Sequence, residues 1–278
     1  MKKIYDDVSV KCSKVTTRAY STSFSMGIKF LNKRFRNPIY SIYGFVRFAD
    51  EIVDTFHDFD KVKLLTRFRE ETFLAIDQKI SLNPILNSFQ KVVNDYSIDR
   101  ELIEAFLHSM EMDLNKTTYD KSGYDKYILG SAEVVGLMCL KVFTENNTEM
   151  YNALEKNAMK LGSAFQKINF LRDLKSDYKD LGRIYFPNVD MNQFNSEIKT
   201  EIEIDIEVDF KQGYEGIKKL PKDARFGVYV AYVYYYRLFK KIKSTPAEKI
   251  LHERIRIPNN KKYGLFLGSY LKHSLNLL

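Results

Sequence analysis

Residues 161–177, LGSAFQKINFLRDLKSD, hold the side chains of this sequence best suited to chemistry. On a helix turning 100° per residue, Gln166, Asn169, Asp173 and Asp177 fall within about 80° of one another. Two carboxylates four residues apart repel, so the pair weakens its helix unless a cation sits between them. A donor set made only of oxygen, from Asp, Asn and Gln, suits Mg²⁺, a hard ion that shares protein carboxylates with phosphate oxygens. Ala164, Ile168 and Leu171 lie elsewhere around the same helix, which predicts burial on several sides. Unpaired charge is costly there. A solvated polar face with two acids four apart by chance is the plainer alternative.

Residues 40–54, YSIYGFVRFADEIVD, repeat the pattern. Tyr43, Arg47, Asp50 and Asp54 share one helical face, with Glu51 at its edge. Arg47, one turn before the first acid, either neutralises the pair or grips a diphosphate through its planar fork. Two such helices facing each other would form a cage in which Mg²⁺ bridges protein to diphosphate.

The elements that must position these residues are helical. Residues 5–24, 39–56, 60–76, 99–114, 123–143, 150–177 and 222–242 all fit a 3.6-residue period. Asn37-Pro38 and Asn83-Pro84 read as helix starts, each Asn as the cap. Residues 197–208 are the exception: Ile202, Ile204, Ile206 and Val208 alternate with acids as a strand would. No partner strand is evident, so helix or irregular chain is expected. A single all-α domain over 1–278 is the simplest architecture.

Composition narrows the partners. The chain has 44 Lys plus Arg against 36 Asp plus Glu, a formal charge of +8 that favours anions. Zinc-finger spacings, RNA-binding sheet motifs and a long basic arm are absent, so no nucleic acid is expected. No P-loop, Rossmann fingerprint or Ser-His-Asp triad is visible. Two cysteines and no hydrophobic leader at the start predict a reduced, cytoplasmic setting. The apolar stretches 134–143 and 226–239 are too short and too interrupted to cross a bilayer.

The two acidic segments resemble the aspartate-rich motifs of the head-to-head trans-isoprenyl diphosphate synthases: squalene, dehydrosqualene and phytoene synthases. The match runs through Leu161, Gly162, Gln166, Asn169, Phe170, Arg172, Asp173 and Asp177, and on to Arg183, Tyr185 and Pro187. Asp50-Glu51-Ile-Val-Asp54 resembles the first motif in the form familiar from phytoene synthases. Tyr20-Ser21-Thr22-Ser23-Phe24 is similar to the family's Ser-x-Ser-Phe segment; by residue type alone, Ser21 and Ser23 read as a helix cap or turn. Residues 127–136 resemble the central motif that begins at Tyr127, whose small residues let prenyl chains pass close to the helix. Glu133 departs from it, standing where the family carries a small residue. Tyr234 and Arg254 approximate the C-terminal Tyr and Arg. The likeness extends from about Tyr20 to Lys262.

The resemblance implies a helical fold around a central cavity and an enzyme using Mg²⁺, or Mn²⁺ in its place. Asp50, Asp54, Asp173 and Asp177, with Asn169, would hold the metal, and Gln166 would orient that shell. Ser21, Ser23, Arg47, Arg172, Arg183, Tyr185, Tyr234 and Arg254 would contact substrate, and Tyr127 would serve catalysis. Arg172 points away from the Asp173 stripe, so a structural ion pair is an equal reading; Tyr127 and Tyr185 read equally as core tyrosines. The implied reaction joins two prenyl diphosphates through a cyclopropylcarbinyl diphosphate. Phytoene from two geranylgeranyl diphosphates is the first expectation, in carotenoid biosynthesis. A C15 dehydrosqualene or squalene synthase using farnesyl diphosphate is the second, and a non-catalytic helical scaffold, which should have lost a carboxylate, the third. A lipophilic substrate and a positive charge make peripheral contact with the inner face of a membrane reasonable, although no single amphipathic anchor stands out.

Overall fold

The 3.6-residue periodicity becomes helix along most of the chain in the computed structural model, which describes residues 1–115, 118–187 and 189–257, without the side chains of Thr22, Ser23 and Asn115. The Lys262 end of the family likeness lies outside the described residues. The helices are α1 (Lys2–Tyr20), α2 (Thr22–Lys29), α3 (Lys33–Asp54), α4 (Lys61–Gln78), α5 (Pro84–Asp95), α6 (Arg100–Asn115), α7 (Lys121–Ile128), α8 (Val134–Thr144), α9 (Thr148–Lys179), α10 (Ser196–Lys219), α11 (Lys222–Lys243) and α12 (Ala247–His252). A π-helical turn, Leu129–Glu133, joins α7 to α8. Among the described residues, extended pairing is limited to one isolated bridge, Thr118 to Ile184.

Short polar side chains set the boundaries. Asn83 accepts from the amides of Ile85 and Leu86 with Pro84 in the first turn, as its sequence predicts. The Asn37-Pro38 expectation fails. Asn32 is the cap of α3, accepting from the Arg34 amide at 3.2 Å, and Pro38 lies inside the helix. Pro38 removes one bond, to the Arg34 carbonyl, while the turn before it is secured by its own cap. The single helix expected over 5–24 breaks at Ser21, whose extended backbone (φ −140°) ends α1 and whose hydroxyl accepts from the Phe24 amide to start α2.

The alternating segment is helix α10. Residues two apart on a helix point about 200° apart, so Ile206 is fully buried while Ile204 and Val208 are 59% and 48% exposed. Pattern alone suggested a strand; the lack of a pairing partner decided otherwise.

Two apolar clusters organise the packing. One gathers around α3, where Phe45 stacks on Phe89 at 3.9 Å and approaches Phe68 and Phe106. The other gathers around α9, α10 and α11. The run Lys121–Thr144 lies between them. By length and composition it could cross a membrane, but most of its apolar window is buried inside the fold, as in a core helix.

Close approach fixes where α9 lies. A Cβ on Gly162 would come within 2.6 Å of the Ala132 carbonyl oxygen in the π turn. Gly162→Ala should gain about 1 kcal/mol of helix propensity but lose about 1–3 kcal/mol to overpacking against backbone that cannot swing aside. Net destabilisation by urea unfolding is therefore expected; a more stable variant would show that α9 has room to shift.

Candidate active site

The two acidic helices line one cavity of about 1230 Å³. Asp50 and Asp54 enter it from the end of α3, and Gln166, Asn169, Asp173 and Asp177 from the second half of α9. Away from these acids its wall carries an apolar stretch that includes Ile39, Leu140, Phe143, Leu154, Ile217 and Leu220. Leu154 and Asp177 belong to the same helix and stand roughly 35 Å apart along its axis at 1.5 Å per residue. The cavity is thus acidic at one end and greasy at the other.

Arg183 joins the acidic helices. Gly182, with φ +65°, turns the chain just after α9, and the Arg183 amide bonds back to the Asp177 carbonyl at 2.7 Å. The Arg183 side chain, 7% exposed, then reaches across to α3, donating to Asp54 at 2.8 Å and to the carbonyls of Val53 and Asp113. The motif's Arg-x-Tyr portion therefore links its two acid pairs.

Asp113 is the residue that sequence reading missed. It is 7% exposed on α6 and accepts from Tyr127 at 2.6 Å, Tyr119 at 3.1 Å and Tyr185 at 3.2 Å, with Arg183 3.9 Å away. Tyr185 also stacks on Phe170 at 4.1 Å. Tyr127 and Tyr185 are thus buried tyrosines with bonded hydroxyls and cavity residues at once. The local signal was an acid, with Glu111 close by, among Phe106, Leu107, Met110, Met112 and Leu114, which is weak without knowledge of its partners.

Arginine lines the cavity beside the acids. Arg47 pairs with Asp50 and with Glu51, the latter at 2.7 Å, and lies over the Tyr20 ring. Arg172 makes the structural ion pair that was its equal reading, although its side chain turns towards the stripe to make it. It pairs with Asp173, the next residue, and Arg254 reaches the same carboxylate at 2.7 Å from beyond α12. Asn169 gives its amide to Gln166 and accepts from the Tyr235 hydroxyl. Tyr234 and Ser21 line the cavity, Ser21 also serving as the α2 cap; the side chain of Ser23 lies outside the described residues. Glu133 accepts from the Ser163 hydroxyl between the π turn and α9.

These acids are held under electrostatic tension. Burial, then the neighbouring Asp54, raises Asp50 to about 7 against the pull of Arg47. Its side chain keeps 33% exposure where it lines the cavity. Burial, then Asp173 and Asp54, raises Asp177 to about 8, and among the described residues no cation pairs with its carboxylate. Asp113 rises to about 6, chiefly by burial, although Arg183 and Tyr127 favour its charged form.

That arrangement fits a divalent cation carried with a phosphate ligand. Among the described residues no three His, Cys, Asp or Glu side chains converge tightly enough to hold a metal by themselves. Mg²⁺ commonly takes one or two carboxylates and completes its shell with waters and substrate phosphates, which two acid pairs on opposite walls can supply.

Asp177 carries a test of the tension. A carboxyl whose folded pKa is raised loses its proton first in the unfolded chain, so stability falls as pH climbs from about 4 towards about 8. Without divalent ions, Asp177→Asn should therefore match the parent near pH 4 and exceed it by about 1–3 kcal/mol at pH 8. Melting in EDTA across that range reads the difference; a gap that does not grow with pH would contradict the account.

The same arrangement has relatives. The squalene/phytoene synthase family profile matches residues 17–203. A 4,4'-diapophytoene synthase of Staphylococcus haemolyticus is 28% identical over 188 residues, which cover 64% of this chain and 62% of that protein's length. A phytoene synthase of Arthrospira platensis is 24% identical over 277 residues, covering 90% and 88%. The crystal structure of a dehydrosqualene synthase in complex with ligand shares the fold, with a TM-score of 0.81 at 21% identity over 96% of this chain and 98% of that one. With its described core all helical and both aspartate pairs on one cavity, the chain belongs to the squalene/phytoene synthase family.

Proposed function

We propose that this protein condenses two prenyl diphosphates head to head, with geranylgeranyl diphosphate as substrate and phytoene as product. The observation that carries the reading is the convergence of Asp50, Asp54, Asp173 and Asp177 on one cavity with a deep apolar end. A purely structural scaffold has no use for four acids gathered on one cavity, two of which, Asp50 and Asp177, are raised by burial and by neighbouring carboxylates. None of the four has been lost, as the scaffold reading requires.

In this reading Asp50 and Asp54 on one wall, and Asp173 and Asp177 on the other, hold the metal ions, with Asn169 and Gln166 completing or orienting the second set. Bound Mg²⁺, or Mn²⁺ in its place, supplies charge that draws electrons towards a leaving diphosphate. Arg47, Arg172 and Arg254 add positive charge around the same oxygens and exchange their present carboxylate partners for phosphate as needed, while Arg183 adds charge from its fixed place on Asp54 and the main chain. Ser21, Ser23 and Tyr234 contact the diphosphate or the first part of the prenyl chain. The apolar wall keeps water from the allylic cation long enough for the second substrate's C2–C3 double bond to attack it, closing the cyclopropylcarbinyl diphosphate. A second ionisation and rearrangement, with loss of a proton, gives the conjugated central triene.

Tyr127 fits a positioning role in this chemistry. Burial, then the charge of Asp113, holds its phenol well above the usual tyrosine range. It therefore acts as a neutral hydroxyl aimed by Asp113.

The C20 assignment is supported by relatives named phytoene synthase that align along about nine-tenths of the chain. A relative named 4,4'-diapophytoene synthase favours a second reading, in which farnesyl diphosphate is condensed to a C30 product. Diphosphate release measured with each substrate, followed by product identification, separates them. Magnesium-dependent release with the C20 substrate is expected, and Asp173→Asn should lower kcat by roughly a hundredfold or more while the melting curve stays cooperative. Turnover of the C15 substrate alone would overturn the C20 assignment, and no release with either would overturn the enzyme reading.

A further inference from the structure

Helix α1 buries hydroxyl side chains and exposes apolar ones. Ser9, Ser13 and Thr17 are at most 2% exposed. Ser13 shares a hydrogen bond with Ser88 at 2.6 Å, Asn87 donates to Ser9 at 3.0 Å, and the Thr17 hydroxyl bonds to the Ser13 carbonyl at 2.8 Å. These small hydroxyls let α1 lie tightly on α3 and α5; a Cβ on Gly44 of α3 would meet Ser13 at 2.7 Å. The opposite face presents Ile4, Val8 and Val15, which are 67%, 44% and 66% exposed and lie within about 40° of one another. Single exposed apolar residues are ordinary. Three on one face of a helix whose inner face is polar are not, because the helix gains nothing from them in the folded chain.

We infer that this face of α1 rests on an anionic lipid bilayer. Charge identifies the occupant. Lys11 and Arg18 stand directly beside the apolar stripe, with Lys3 and Lys14 next outward. The acids of the helix are fewer: Asp7 shares the basic flank, and Asp6 is engaged by Lys2 and Asn87. An apolar face bordered by an excess of Lys and Arg is the pattern of a helix lying in the headgroup boundary, where each basic residue gains from negative surface potential. Placement agrees. Thr17, Tyr20 and Ser21, at the end of the same helix, line the cavity wall, so the helix that would rest on a bilayer also forms part of the cavity. The inference goes beyond the reading of the cavity and does not depend on it.

The test is co-sedimentation of the full chain with vesicles of phosphatidylcholine alone and of phosphatidylcholine mixed with phosphatidylglycerol. Binding to the mixed vesicles is expected, weakened by added salt. It should fall roughly tenfold or more in Ile4→Ser/Val8→Ser/Val15→Ser and in Lys11→Glu/Arg18→Glu. All five side chains are exposed, so the melting temperatures of both variants should stay near that of the parent. No binding to anionic vesicles, or undiminished binding by the apolar variant, would overturn the inference. A fluorescent label on Val8→Cys/Cys12→Ser that is already shielded from iodide without vesicles would overturn it too, since residues 258–278 or a second copy would then cover the face.

Discussion

One buried guanidinium holds the site together. Arg183 leaves the chain at the turn after α9, fixed there by the bond from its amide to Asp177, and its side chain ends on Asp54 and the main chain of α3 and α6. A cation taken out of water this fully is tolerable only when several acceptors surround it. Arg183 therefore sets both the spacing of the two acidic helices and the place of Asp113. Around Asp113 three tyrosine hydroxyls converge, and two of these residues, Tyr127 and Tyr185, line the cavity beside the acids. Loss of this one side chain would remove the ion-pair partner of Asp54 and a neighbouring cation of the buried Asp113.

The rest of the fold provides a rigid frame for charges that oppose folding. Glycines where a Cβ would strike backbone, such as Gly162, hold α9 against the π turn, and the stacked rings of Phe45 and Phe89 stiffen the α3 side. Within this frame Asp50 and Asp177 are raised to about 7 and about 8. The folded chain thus carries electrostatic strain that the cation and diphosphate of the proposed reaction would relieve. Stability is given up at the acids and recovered in the apolar clusters on either side.

Much of this was legible in the sequence, and the limits have physical causes. The Asp173 stripe was readable because its partners recur at three and four residues, a spacing that a helix converts directly into a face. The all-helical fold followed from the same period, and even residues 202–208, with their strand-like alternation, became helix for want of a pairing strand. Asp113 was not readable: its partners at 119, 127 and 185 come from separate elements, so only tertiary structure unites them. The direction of Arg172 was misjudged because a long side chain is free to curl back to a neighbour that the helical wheel places elsewhere. The start of α3 was misplaced because Asn32 caps as well as Asn37 would, five residues earlier. The exposed apolar face of α1 escaped notice because a 3.6-residue period shows that one side is apolar and leaves open which side faces the core.

The central claim is that the two acid pairs form one site for divalent cation and diphosphate together. Its most direct measurement is the melting temperature of the full chain at neutral pH with Mg²⁺ alone, inorganic pyrophosphate alone, and both. Separate ligands should shift it little, while the pair should raise it by clearly more than the sum of the two shifts, since each completes the other's coordination. Merely additive shifts, or no shift with the pair, would contradict the account.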